Sequence, residues 1–325
     1  MKRALVFVSL LTSIALPTPA AAEPANRAVA DSFITLGTQG GPVSSPLRSQ
    51  PANVLLRNAD AYIVDAGDGA VQRLAQAGVS LNTVRAVFLS HLHFDHTSGL
   101  GAILALRHQM GVPGVLAVYG PPGTKKLVDH LLLSMEPGAE IGNGYSGDAY
   151  KLPQATARAI EITGGSMIEL PGIRLTSVQN SHYSFVLGSG EDARYKSLSY
   201  RFDMPERSIV YTGDTGPSRA VEQLAAGADL LVVEMMNAEA VLAGLKRQSP
   251  TMPPAALARL RRHLVEHHVS AAQVGELASR AKVKRVVITH IAPAVVTVEQ
   301  DADYKRNIAW QYRGPVEIAD DLDRF

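Results

Sequence analysis

The chain has 325 residues, no cysteine, 31 Lys+Arg against 30 Asp+Glu, and ten histidines. This excludes a disulfide framework, a thiolate metal site, a cysteine-held iron–sulfur cluster and a cysteine nucleophile, and the near-neutral charge argues against a broad basic face for nucleic acid. Apolar residues make up 46% of the chain, ample for a packed core.

Lys2 and Arg3 precede an apolar run from Ala4 to Leu16, followed by Pro17, Pro19 and Ala20-Ala21-Ala22. A positive start, an apolar stretch and a small-residue cleavage site are the layout of a secretory signal peptide over residues 1–22. The run is short for a membrane helix, which needs roughly twenty residues. The expectation is a single mature domain over 23–325, periplasmic or secreted, with no stable membrane insertion after cleavage. A homodimer is compatible with the sequence.

Strands then alternate with helices. Phe33–Leu36 and Asn53–Leu56 read as short strands around a Gly/Pro/Ser-rich loop, and Ala61–Asp65 as a strand ending in an acid. Val71, Leu74 and Ala75 fit a helix closed by Gly78. Val84–Ser90 is an apolar run that stops at a polar cluster. Leu100–Met110 is helical by spacing, Val115–Tyr119 is a strand, and Thr124 can cap a helix to Leu133. Glu136 to Leu152 has no periodicity and reads as a loop. In the second half Ile173–Val178, Ser197–Phe202, Ser208–Tyr211, Leu230–Glu234 and Arg285–Thr289 read as strands, with helices over Ser218–Ala226 and Ser270–Ala281. Met236 to Pro254 carries Ser-Pro and Pro-Pro breaks and reads as a loop or broken helix. The alternation predicts an α/β domain whose strands feed polar loops at one edge.

The histidines carry the chemistry. Ser90-His91-Leu92-His93-Phe94-Asp95-His96 places three imidazoles and a carboxylate directly after a buried strand. At a strand end His91 and His93 point the same way and can grip one metal ion, while Asp95 and His96 on the following turn face a second. Imidazole and carboxylate donors suit Zn²⁺ with an open position. His182, Asp214 and His290 each follow an apolar strand, where α/β proteins build sites. Together these make a set of seven candidate ligands.

This pattern resembles the metallo-β-lactamase fold superfamily, over nearly the whole mature chain. Leu36-Gly37-Thr38 with Gly40-Gly41-Pro42 and Arg48, Val64-Asp65-Ala66-Gly67, Tyr119-Gly120-Pro121-Pro122-Gly123-Thr124, Tyr211-Thr212-Gly213-Asp214-Thr215, Val232-Val233-Glu234 and His268-Val269-Ser270 are similar to motifs of its ribonuclease Z-like branch, arylsulfatase-like members included. The resemblance implies a four-layer αβ/βα sandwich with two Zn²⁺ ions. His91, His93 and His182 would hold one, Asp95, His96 and His290 the other, with Asp214 bridging. The chain departs from the branch where Glu234 follows Val233 rather than His, and where Val269 follows His268. Met135 to Lys151 carries no long basic arm of the kind tRNA-processing members use, so a small-molecule ester is the expected substrate and no tRNA partner is expected.

The expected activity is hydrolysis of phosphodiesters or sulfate esters by a hydroxide shared between the ions. Asp95 would orient that hydroxide and accept its proton. His268 would protonate the leaving oxygen, with Glu234 holding its other ring nitrogen. Lactam or lactone hydrolysis on the same metals is the alternative, and a mononuclear iron oxidoreductase a more distant one. Asp65 and Asp68 are candidate partners for ligand histidines. Tyr183, Tyr145, Phe94, Met235 and Met236 are candidates to line the pocket. His108, His130, His263 and His267 read as surface or helix-face residues.

Overall fold

The structure, a computed structural model, describes residues 31–147 and 151–325. The signal peptide expected over 1–22 lies outside the described residues. A first sheet of six strands runs in chain order: β1 (Ser32–Gly37), β2 (Ala52–Arg57), β3 (Asp60–Ala66), β4 (Val84–Phe88), β5 (Leu116–Gly120) and β6 (Ala157–Glu161). Its first three strands pair antiparallel and the rest parallel. The helices between them are α1 (Ala70–Gln76), α2 (Phe94–Thr97), α3 (Leu100–Gln109), α4 (Thr124–Ser134) and α5 (Glu136–Ile141).

A second sheet of seven strands repeats that plan, with β7 (Met167–Leu170), β8 (Ile173–Gln179), β9 (Leu198–Asp203) and β10 (Ser208–Tyr211) antiparallel, then β11 (Leu230–Met236), β12 (Val286–Ala292) and β13 (Val316–Ile318) parallel. Its helices are α6 (Gly190–Arg194), α7 (Arg219–Leu224), α8 (Ala238–Gln248), α9 (Pro254–Glu266), α10 (Ala271–Ala281) and α11 (Val298–Ala309).

Burial explains the layering. The strands alternate faces, so Phe33, Leu55, Tyr62 and Phe88 of the first sheet meet Leu175, Tyr200, Phe202 and Tyr211 of the second in one buried layer. The outward faces carry Val54, Ile63 and Val87 against Leu74, Ile103 and Val128 of α1, α3 and α4, and Val210, Leu231 and Ile288 against Leu224, Val274 and Ile308 of α7, α10 and α11. The result is the four-layer αβ/βα sandwich, with buried parallel strands reading as continuous apolar runs.

Several local expectations are corrected. Glu136 to Leu152, expected as a loop, contains α5, whereas the stretch from Met236 to Pro254 takes the broken-helix alternative, with α8 ending at Gln248 before Ser249-Pro250 and α9 starting at Pro254. Thr124 is the first residue of α4 rather than its cap, and its Oγ1 donates to the carbonyl of Pro121 at 2.7 Å. Strands β6, β7 and β13 and helices α2, α6, α9 and α11 escaped sequence reasoning. The three strands carry many half-exposed positions, which dilutes a period-2 signal, and α11 buries only Tyr304 and Ile308.

Candidate metal centre

The strand ends converge at one edge of the sandwich. Ser90 to His96 leave the first sheet after β4, His182 follows β8, Asp214 follows β10, Glu234 lies on β11 and His290 on β12. Two local devices set this loop cluster. Gly213 adopts φ +57°, and a Cβ there would stand 2.7 Å from that of Ser90, so glycine alone lets the Asp214 turn lie against Ser90, the residue before the first histidine. His290 is the extra residue of a β-bulge opposite Glu234–Met235, at φ 43°. Bulges re-aim side chains, and this one turns the imidazole toward the edge.

All seven candidate ligands meet there. Nε2 of His91 and Nε2 of His182 lie 3.0 and 3.1 Å from Nδ1 of His93. One oxygen of Asp214 is 3.9 Å from Nε2 of both His91 and His182. Its other oxygen is 3.2 Å from Nε2 of both His96 and His290. Asp95 Oδ2 stands 3.7 Å from the same nitrogen of His96 and 3.6 Å from that of His290. Two groups of donors thus share Asp214. His93 is exposed at the mouth, whereas the other six are buried.

These donors fit metal ions on their own chemistry. Nε2 of His96 and Oδ1 of Asp214 are buried without a hydrogen bond, a costly state unless a cation completes it. Three imidazole nitrogens at about 3 Å have no protons to satisfy every lone pair. Burial lowers the pKa of His91, His93 and His182, so these rings stand neutral, the form that ligates. On the other side burial opposes charge on His96 and His290, but Asp214, with Asp65 for His96 and Asp95 for His290, outweighs it and raises both pKa values. Burial likewise raises Asp214, and the surrounding imidazoles outweigh it and hold the carboxylate well below its usual range. The pocket wants positive charge, from protons or from a metal.

Asp65 organises the ligands from behind. Its Oδ2 lies 2.8 Å from Nδ1 of His96 and accepts from Ser90 Oγ and Tyr211 Oη, both at 2.7 Å, while Oδ1 accepts from Ser90 N–H at 2.7 Å. With its proton given to Asp65, Ser90 Oγ accepts from Nδ1 of His91 at 3.0 Å. One carboxylate therefore fixes the tautomer of a histidine in each donor group and presents both Nε2 atoms inward. Asp68 is exposed and takes no part.

His268 and Glu234 meet beside the donors. Nδ1 of His268 is 2.8 Å from Oε2 of Glu234, whose Oε1 accepts from Thr215 N–H at 2.6 Å. Burial pushes the His268 pKa down, but the charge and hydrogen bond of Glu234 override it and raise it to about 9.

The remaining candidates separate clearly. Tyr183 is half-buried against His91, His93 and His182, and Phe94 is exposed beside His93. Tyr145 is exposed, with no contact to the cluster shown. Met235 and Met236 are buried, and with His268, Tyr304 and Asn307 they line a cavity of about 400 Å³. His130 is exposed, and His108 holds the carbonyl of Lys151 at 2.9 Å.

His263, on a face of α9, and His267, the residue that follows the helix, are half-buried and lie close to the cluster. Their Nδ1 atoms lie 2.9 Å apart, and the His263 ring is 5.6 Å from His182 and 5.2 Å from His268. Burial, then the charge of His268, lowers His263 to about 4. The carbonyl of His267 lies 3.1 Å from Nδ1 of His182. Their i, i+4 spacing at the end of α9, just before His268, is the available signal.

Comparison with known proteins agrees with this architecture. The profile of the "Beta-lactamase superfamily domain" matches residues 61–291. A ribonuclease Z of Mycobacterium bovis is 29% identical over 294 residues, covering 90% of this chain and 96% of the relative. The metallo-β-lactamase fold protein YhfI from Bacillus subtilis superposes with a TM-score of 0.65 at 16% identity, over 91% of this chain and 98% of that one. The short form of human tRNase Z gives 0.61 at 19% identity, over 90% and 98%.

These matches overturn one expectation. The ribonuclease Z relatives match over nine-tenths of the chain, and against them the expected periplasmic or secreted location no longer stands. A short apolar run behind two basic residues is a compositional signal only, with no mechanism elsewhere in the chain to support it. Among the described residues, no helix is long and apolar enough to cross a membrane. The profile match over residues 61–291 and the sandwich lead to one assignment: the chain belongs to the β-lactamase superfamily, with the metallo-β-lactamase fold, and it is similar to ribonuclease Z.

Proposed function

We propose that this protein is a metal-dependent hydrolase of phosphodiester bonds in small-molecule esters, working with two divalent ions, zinc in the first instance. The observation that supports it most is the single carboxylate of Asp214 placed between two donor groups, one oxygen 3.9 Å from His91 and His182, the other 3.2 Å from His96 and His290. A carboxylate so shared suits a pair of cations better than one. His91, His93, His182 and Asp214 would hold the first ion, and Asp95, His96, His290 and Asp214 the second. Held by these residues, such ions would lower the pKa of a water from about 15.7 towards 7 and would neutralise charge on transition-state oxygens.

The chain's own residues supply the rest. Asp95 stands at the second donor group with a carboxylate free to orient a water and take its proton. His268 has Nδ1 occupied by Glu234, so Nε2 is the nitrogen left to donate to a leaving oxygen. Thr215 N–H and His268 both bond Glu234, which keeps its carboxylate in place. Phosphodiesters are preferred over sulfate esters because the matched relatives are named for RNA cleavage, and RNA is a phosphodiester. Sulfate esters remain the second member of the proposal, since their tetrahedral anion makes the same demands on the site.

The test is a substrate panel on zinc-loaded protein: bis(4-nitrophenyl) phosphate, 4-nitrophenyl sulfate, a cephalosporin, a lactone and a precursor tRNA. Turnover of the phosphodiester, abolished by a chelator, is the expected result. Turnover of the lactam or lactone alone would replace the proposal with acyl hydrolysis. Specific cleavage of the precursor tRNA would replace the small-molecule substrate.

A further inference from the structure

A row of aromatic rings starts at the histidine cluster and runs outward into solvent. Tyr183 lies with its ring 5.1 Å from that of His182 and 5.5 Å from that of His93. Phe185 follows at 5.7 Å, and Tyr195 stands 5.5 Å beyond it. The rings are tilted by 56° and 39° at these two steps, so they do not stack on one another and their faces stay available. Phe185 and Tyr195 are 42% and 45% exposed, and the neighbouring Leu187 is 90% exposed. Phe94, next in the chain to His93, is 85% exposed.

Single exposed apolar residues are ordinary. A continuous row ending on three candidate metal ligands calls for an occupant. The loop that carries it is braced. Asp192, which is buried, accepts from Gly188 N–H at 3.0 Å and from Lys196 Nζ at 2.8 Å, and Ser189 caps α6 by accepting from Asp192 N–H. The rings are thus held in place before anything binds, which lowers the cost of binding. The row presents ring faces rather than charged groups, and the guanidinium of Arg194 beside it lies over the Tyr195 ring at 5.9 Å from its centroid. The row can recognise a flat, uncharged group, and its inner end fixes that group's distance from the reacting ester.

We propose that Tyr183, Phe185 and Tyr195 form the subsite for a planar aromatic group of the substrate, an aryl ring or a nucleobase, with Phe185 and Tyr195 as specificity-determining residues. This rests on the phosphodiesterase reading. The occupant is the substrate because the row is continuous with the reactive centre: a ring resting on Phe185 is one ring removed from Tyr183, which itself touches His93. No covalent step is added.

Three diesters sharing 4-nitrophenolate as leaving group test it: phenyl 4-nitrophenyl phosphate, thymidine 5′-(4-nitrophenyl phosphate) and methyl 4-nitrophenyl phosphate. Each is assayed with zinc-loaded wild type, Phe185→Ala, Phe185→Leu and Phe185→Tyr. Comparing wild type with variant cancels the intrinsic reactivity of each ester. The ratio of kcat/KM for an aromatic over the methyl diester should fall about tenfold in Phe185→Ala and Phe185→Leu, through KM, and should survive in Phe185→Tyr. A loss confined to the phenyl ester identifies an aryl subsite, and one confined to the thymidine ester a nucleobase subsite; either supports the proposal. An unchanged ratio in both Ala and Leu variants overturns it. Calorimetric binding of diphenyl phosphate against dimethyl phosphate needs no turnover. Preference for diphenyl phosphate that Phe185→Ala removes, in a protein that hydrolyses none of the esters, would sink the hydrolase reading and leave the aromatic subsite standing. If wild type is a dimer that Phe185→Ala turns into monomer, the row is a subunit interface and the subsite is overturned.

Discussion

Nδ1 of His268 lies 2.8 Å from Oε2 of Glu234, and both side chains are buried at the edge of the donor cluster. Glu234 sits on β11 and His268 directly follows the residue after α9, so the pair couples a strand of the second sheet to the helical segment that closes the site. If His268 donates from Nε2, His268→Ala should leave zinc content intact and damage hydrolysis in proportion to leaving-group pKa. General acid help is typically worth about 10²–10⁴-fold. Alkoxide leaving groups should lose most of that and nitrophenolate little, with Glu234→Gln giving a weaker version. The slope of log kcat against leaving-group pKa is the measurement; an equal loss for every ester would point to misplaced substrate or metal instead.

The same pair makes a prediction for metal-free protein. The His268 pKa is raised to about 9 from an unfolded value of about 6.5. A raised folded pKa contributes stability that is fully present below the unfolded pKa and is lost as pH rises through the folded one. Apo-protein stability from this pair should therefore be highest below pH ~6.5 and decline as pH rises to ~9. Glu234→Gln should flatten that decline. Urea unfolding of both proteins across this window decides it, and parallel curves would refute the coupling. Bound ions would add positive charge and pull the His268 titration lower.

Asp65 supports a third prediction. It bonds His96 directly and reaches His91 through Ser90. Asp65→Asn should weaken both ions, because Oδ2 accepts three hydrogen bonds that an amide cannot reproduce. Ser90→Ala should weaken chiefly the ion at His91, His93 and His182. Losses of second-layer partners of this kind typically cost about 10–100-fold in metal affinity. Zinc affinities from chelator competition are the readout, and unchanged values in Asp65→Asn would contradict the role.

Much of this site was legible from sequence because ligand histidines follow apolar strands, and strand ends of an α/β sandwich meet at one edge. His91 to His96, His182, Asp214 and His290 could be named by type and position. What the sequence concealed was packing. Nothing in the string shows that Tyr211, a buried β10 residue, donates to Asp65 from the other sheet, or that α9 brings His263 and His267 against His182. Those contacts join residues far apart in the chain and have no local period to read. Helix α11 and the strands β6, β7 and β13 were missed for the opposite reason: their patterns are local, but half-exposed positions blur them. The N-terminal residues show the reverse error, where a composition familiar from exported proteins pointed to a location that the relatives contradict.

The central claim is that Asp214 holds two ions at once. Zinc per chain, measured by elemental analysis on loaded and desalted wild type and Asp214→Ala, tests it most directly, with melting temperature recorded on the same samples. Wild type should hold close to two zinc ions and the variant one or fewer, with a lower melting temperature because bound metal contributes folding energy. Full zinc content in Asp214→Ala, or a single ion in wild type, would contradict it.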